Sequence, residues 1–340
     1  MAARGSIGEE IIGRLAGGLG CNPNQITFWR HGLTWYPGGL TQHVWTEEVS
    51  REAPLPAWRV QVRTWCLKRV VASSTEMITA IGAELPLNSI GALIRKPGSP
   101  SRLGLGASMW LSADRVDWTS RLMASVARLQ AADALRLAQA RPVVDSGAAP
   151  DVANSQLAIE GMAAPVPHVP EPEVPVSGSI EALPFLEMAD VMRGHDGVRA
   201  IATHSGITAS VPWALEGDSE DFILLEMRVA TREPLGAGLW ISMSLPMWSP
   251  AHLMHALTLN EAELATSSAT DLVGGWLVRN QTLMHESFIP WALCSGPLVR
   301  HLAESAARRA SWLRYIGPTV LPGEWPDEIR GRVLPFRRMP

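Results

Sequence analysis

The chain has 340 residues, 46% of them apolar and 18% charged, with a formal net charge of −4. That is enough apolar material for two cored domains and too little positive charge for a sequence-wide nucleic-acid field. No apolar run approaches the roughly 18 residues of a membrane span, and residues 1–10 lack a basic stretch followed by an apolar one, so a cytoplasmic protein is expected.

Residues 6–19 carry Ile7, Ile11, Ile12 and Leu15 at helical spacing behind Ser6, with Gly17, Gly18 and Gly20 closing the run. Three strand-like runs follow, at 25–31, 40–49 and 57–66. In the last, Trp58, Val60 and Val62 alternate with Arg59, Gln61 and Arg63. Tyr36-Pro37-Gly38-Gly39 supplies turn chemistry between the first two, and such short connections imply an antiparallel meander. Residues 73–85 read as a helix with Met77, Ile78 and Ile81 on its apolar side. Strands at 89–95 and 102–111 flank Lys96-Pro97-Gly98-Ser99-Pro100. A long helix then carries Trp118, Leu122, Val126 and Leu129 on one stripe.

From 142 to 179 the composition turns to Ala, Pro and Val with scattered acids, which reads as a semi-extended linker. A helix restarts the pattern at 180–192. Strands are expected at 221–229 and 239–245, a short helix at 250–259, and a strand around Gly274 and Gly275. Gly296-Pro297 should kink the last helix or mark a new start, and the proline- and arginine-rich residues from 317 onward read as a tail.

The second half repeats the first. Trp291, Val299 and Leu302 stand 173 residues beyond Trp118, Val126 and Leu129 (291 − 118, 299 − 126, 302 − 129). Ser205-Gly206-Ile207-Thr208 matches His31-Gly32-Leu33-Thr34 at 174 (205 − 31), Leu257-Thr258-Leu259-Asn260 echoes Leu85-Pro86-Leu87-Asn88, and Gly274 and Gly275 resemble Gly104 and Gly106. Several matches at nearly one offset point to an internal duplication. The expected fold is therefore α+β: two tandem α-β-β-β-α-β-β-α domains at 5–140 and 180–316, each a twisted antiparallel sheet packed with helices, joined by a linker at 141–179 and followed by a tail at 317–340.

Catalytic motifs are absent, and no enzyme activity, cofactor or metal is expected. Cys21, Cys66 and Cys294 have no ligand spacing and read as thiols of a reducing compartment. His252 and His255 lie i, i+3 without a third ligand nearby; Asp218, Glu220 and Asp221 lack the spacing of a calcium loop. Gly104-Leu105-Gly106 sits inside a strand, where a dinucleotide fingerprint does not work. Arg308, Arg309, Arg330, Arg332, Arg337 and Arg338 make the C-terminal end basic, which reads as a solvated tail and not as a nucleic-acid site.

The candidate partner-binding residues lie on the second face of the strands. If Leu105, Met109, Ile241 and Met243 face the core, the opposite side carries Gly104, Gly106, Ser108 and Trp110 in one copy and Trp240, Ser242 and Ser244 in the other. Small residues beside a large aromatic form a shallow groove with an anchor, suited to a polypeptide. The competing reading is that these tryptophans are covered by the other domain or by a homodimer partner.

The element order, the Trp-led final helix and the tandem layout across a Pro/Ala linker resemble the type III secretion chaperone-like fold, in particular YbjN-like bacterial proteins. That resemblance implies a non-catalytic chaperone or adaptor holding a client polypeptide, its two domains paired as an intramolecular dimer. The alternative is a structural subunit of a larger bacterial assembly.

Overall fold

The computed structural model describes residues 7–20, 25–50, 57–70, 91–111, 115–140, 148–153, 184–213, 222–232, 236–245, 252–265, 270–279 and 282–320. The structure is mixed α+β with two antiparallel sheets. Helix α1 (Ile7–Gly18) precedes β1 (Ile26–Trp29), β2 (Gly32–Trp35), β3 (Thr41–Ser50), β4 (Ala57–Lys68), β5 (Ala92–Lys96) and β6 (Ser99–Leu111). Helix α2 (Val116–Gln139) and the two-residue β7 (Ala149–Pro150) close the first half. The second half runs α3 (Phe185–Arg193), β8 (Arg199–Ala202), β9 (Gly206–Pro212), β10 (Phe222–Arg232), β11 (Gly236–Ser244), α4 (His252–Leu264), β12 (Gly275–Arg279), β13 (Thr282–Pro290) and α5 (Gly296–Val320).

The first sheet has the order β1-β2-β3-β4-β6-β5, with β7 added to β4; the second has β8-β9-β10-β11-β13-β12. Strand for strand the two orders are the same. Each half opens with four strands and not the three expected; in the first, β2 follows the run at 25–31 and forms a hairpin with β1, Trp29 pairing with Gly32 across the turn at Arg30 and His31. Strands β8 and β9 were absent from the expected elements, although Ile207, Ala209 and Val211 alternate inward on β9. Gly275 opens β12, whose counterpart in order is β5, so its likeness to Gly104 and Gly106 on β6 does not hold. Pro297 lies in the first turn of α5 and marks a start instead of a kink, since its missing N–H is one the helix end does not use. That helix reaches Val320, past the expected domain end at 316. The expected helix at 73–85, the linker from 154 to 183 and the tail from 321 lie outside the described residues.

Helices α1 and α2 cover one face of the first sheet through Ile11, Ile12, Leu15, Leu122, Met123 and Val126. Helices α3 and α5 cover one face of the second through Phe185, Met188, Leu298, Val299 and Leu302. The apolar core is continuous through both halves. Helix α4 belongs in sequence to the second half, yet its Leu264 packs with Trp65, Ala92 and Ile94 of the first. Ser108 and Leu272 pair as an antiparallel bridge between the halves. Among the described residues no helix is long and apolar enough to cross a membrane.

Candidate functional site

The two halves meet through a buried polar seam. Arg59 on β4 is fully buried. Its guanidinium donates to Ser108 Oγ at 2.7 Å, to the Thr270 carbonyl at 3.4 Å, and to the carbonyls of Glu263 and Ala265 at the end of α4. A cation is favourable there, where the last carbonyls of a helix lack internal donors. Burial pulls this guanidinium below its ordinary proton affinity, while the charges of Asp271, Glu47 and Glu263 act the other way. Beside it, the Glu263 carboxylate accepts from Arg309 Nε at 2.9 Å on both oxygens, from Trp276 Nε1 at 2.6 Å and from Thr270 Oγ1 at 2.9 Å. Every lone-pair direction of a buried ion is thereby used, which a buried pair requires to be tolerated.

Asp271 is the second buried acid. It accepts from the Trp110 amide of the first half at 2.7 Å, and its other oxygen lies 2.7 Å from His301 Nε2. Burial alone would raise this carboxyl. The His301 ring, Arg308 and the Trp110 amide outweigh it and hold the group well below the usual carboxylate range. Arg115 stands 2.6 Å from His301 Nδ1. A guanidinium has only donors, so Nδ1 is the acceptor and Nε2 carries the ring proton toward Asp271. Next to Asp271, His285, Ser287, Ser305 and Arg309 line a cavity with room for about one water molecule. His285 Nε2 and Ser287 Oγ have no hydrogen-bond partner among the described residues, and burial, then the charge of Arg309, pushes His285 well below its ordinary value. A space of that size takes a water molecule, and the polar groups around it join the two halves.

The expected partner-binding residues lie on this seam and not on an open shelf. Ser108 is 0% exposed, and a side chain on Gly106 would meet Leu264 of α4 at 2.5 Å. Gly104 is buried, and Arg59 stacks on the half-buried Trp110, its centroid 5.6 Å away. In the second sheet Trp240 packs with Phe288 against Leu129 of α2, with Arg228 stacked on it at 4.5 Å; Ser242 is buried and Ser244 half-buried. Each expected shelf is thus filled by the other half of the same chain, the competing reading weighed from the sequence. His255 is buried on α4, and the side chain of His252 and the acids Asp218, Glu220 and Asp221 lie outside the described residues. Burial pushes the thiols of Cys66 and Cys294 up to about 12, so neither is a nucleophile at neutral pH; Cys21 lies outside the described residues.

What stays open is the far end of the first sheet's same face. The register Trp29↔Gly32↔Trp45↔Gln61 runs across β1, β2, β3 and β4, and Thr27↔Thr34↔His43↔Arg63 runs beside it. Directly opposed residues share a face, so these eight residues line one surface, with Thr27 and Trp29 exposed, His43, Trp45 and Arg63 half-buried, and Gly32, Thr34 and Gln61 buried. A Cβ on Gly32 would meet the Trp29 ring at 2.6 Å, which places that indole across the glycine; Trp29 remains 46% exposed. Trp45 lies on the other side of Gly32 and carries the Arg63 guanidinium 4.9 Å from its ring centre. Thr34 Oγ1 and His43 Nδ1 are 3.0 Å apart. A glycine floor between two tryptophans on strands next to a sheet edge is the motif sought on β6, displaced to β1–β3. The reading from sequence missed it because 25–31 was taken as one strand, which hides Gly32 in a turn.

The chain matches no family model, no curated protein and no solved structure.

Proposed function

We propose that the chain is a non-catalytic polypeptide-binding chaperone or adaptor whose binding surface is the Trp29–Gly32–Trp45 platform and the outer edge of β1, which no other described strand pairs. The observation that carries this reading is the exposure of Trp29 on an edge strand. That strand is hydrogen-bonded on one side, to β2, and its Phe28 is 57% exposed on the opposite face. An edge strand offers unpaired N–H and C=O groups, and a passing extended segment can pair with them while its side chains settle on the aromatic face.

In this proposal the two halves are copies of one module. Both sheets have the same strand order. Gly32 opens β2 and Gly206 opens β9, 174 residues later. A Cβ on either would run into a carbonyl of the next strand, Val44 O at 2.5 Å and Met227 O at 2.4 Å. Paired through the seam, the copies would form the intramolecular dimer that the resemblance to secretion chaperones implies. A second reading, a subunit of a larger assembly, is favoured by Ile201 and Leu224, 71% and 51% exposed on neighbouring rows of the second sheet.

The test is capture of extended peptides by the whole chain, followed by fluorescence anisotropy. Trp29→Ala should weaken capture about tenfold or more while leaving the thermal midpoint in place. Equal capture by the variant would remove the platform from consideration.

A further inference from the structure

We infer that the segment held on this platform is acidic: an extended polypeptide stretch that runs from Trp29 across the strands of the sheet face, where its carboxylates are met by Arg63 on β4 and Lys96 on β5. The inference rests on the polypeptide-binding reading above and adds the charge of the partner.

Arg63 lies flat against Trp45, and its one hydrogen bond goes to the neutral Gln61 Oε1 at 2.8 Å. Its Nε has no partner among the described residues. Lys96, at the end of β5, stands over the Trp65 ring at 5.4 Å on the same face. Among the described residues neither cation forms an ion pair with a carboxylate. The nearby acids are engaged elsewhere: Asp151 with Arg102, and Glu47 with the Gln61 amide.

Stacking on an indole still lets a guanidinium donate from its terminal nitrogens; Arg63 Nε is buried, so a carboxylate would be met at the terminal N–H groups. The local potential is positive even though the chain is acidic overall. His43, opposite Arg63 on β3, is held below the ordinary histidine range by burial and then by Lys96 and Arg63. A bound carboxylate relieves that field, and a bound cation or neutral segment does not. Nucleic acid fits less well: its affinity comes from neutralising many phosphates, whereas this face offers two unpaired cations beside Glu47.

The test uses the full chain and three labelled probes: an extended peptide alternating Asp or Glu with Val or Thr, its Asn/Gln counterpart, and a single-stranded oligonucleotide. The acidic peptide should bind about tenfold tighter than the Asn/Gln peptide at low salt, and the advantage should shrink as salt is raised. Lys96→Gln and Arg63→Gln should each remove most of that advantage. Lys96 gives up only a ring contact at the strand's end, so its variant reports binding separately from folding. Equal affinity for the two peptides overturns the charge assignment and leaves the platform standing. Binding of neither peptide overturns the platform and this inference together. Tighter binding of the oligonucleotide, or self-association of the chain that displaces the peptide, also overturns it.

Discussion

Ser108 and Leu272 exchange both of their backbone hydrogen bonds, each 2.8 Å long, and so splice a strand of the first half to the segment that follows helix α4 in the second. Around this bridge stand Arg59, Asp271 and Glu263, none more than 1% exposed. Asn260 extends the splice: its side-chain amide donates to Leu93 O at 3.0 Å in the first half and to Trp276 O at 3.2 Å in its own. The halves are joined by bonds that water cannot replace, which makes their separation costly.

Arg59→Met tests that joint. It strips donors from the carbonyls of Glu263, Ala265 and Thr270, and losing one partner of a buried charged network costs about 3–5 kcal/mol. The wild-type chain, with one continuous core, should unfold in a single denaturant transition. The variant should unfold at lower denaturant, in two steps. A single transition at the wild-type midpoint would mean that Arg59 does not couple the halves.

Asp271→Asn removes the charge that faces His301 and Arg308, and should destabilise by a similar amount, about 3 kcal/mol or more. Because the folded-state carboxyl titrates below its unfolded value, its stabilisation is present above that unfolded value and fades as pH falls through the folded one. The wild type should therefore lose stability steeply below about pH 4, and the Asn variant less so. Acid unfolding followed by circular dichroism compares the two slopes.

His285 makes stability depend on pH in a higher window. Its folded-state proton affinity is depressed, first by burial and then by Arg309. The unfolded chain takes up a proton near pH 6.5 that the folded chain refuses, so stability falls as pH drops below about 6.5. His43 and His195 push in the same direction. His285→Gln should narrow the difference in thermal midpoint between about pH 7.5 and about pH 5.5. An unchanged difference would assign the effect to other groups.

Gly32→Ala and Gly206→Ala test the proposed equivalence of the halves. In both, the new methyl meets a backbone carbonyl that cannot yield, at 2.5 and 2.4 Å, so each should cost about 1–3 kcal/mol. Only Gly32→Ala also displaces an indole, that of Trp29, and should shift the tryptophan emission and weaken peptide capture. Loss of capture in Gly206→Ala alone would place the binding surface in the second half.

The helix match illustrates how far a pattern reaches. Trp118, Val126 and Leu129 align with Trp291, Val299 and Leu302 at an offset of 173, whereas the helices themselves begin 180 residues apart (296 − 116). The seven-residue discrepancy is about two helical turns, so either alignment turns Val299 and Leu302 toward the sheet, while Trp291 lies ahead of the helix in a 3-10 turn at Trp291–Leu293. An apolar stripe records a face and not a position along the axis. The Gly32 and Gly206 pair keeps its offset because a clash with a neighbouring carbonyl ties each glycine to one place in the ladder.

From the sequence alone, period-2 alternation determined which side of β4, β6, β10 and β11 is apolar, and helical spacing determined the buried stripes of α1, α2 and α5, because both follow from local geometry. The sequence also located the small-residue face of the first sheet. Only the tertiary structure decided which part of that face is covered. Leu264 and Leu272 occupy it over Gly106 and Ser108, while Trp29 stays exposed and Trp45 half-buried. Covering a sheet face depends on contacts between residues far apart in the chain, and alternation within a strand carries no information about what arrives from elsewhere to bury it.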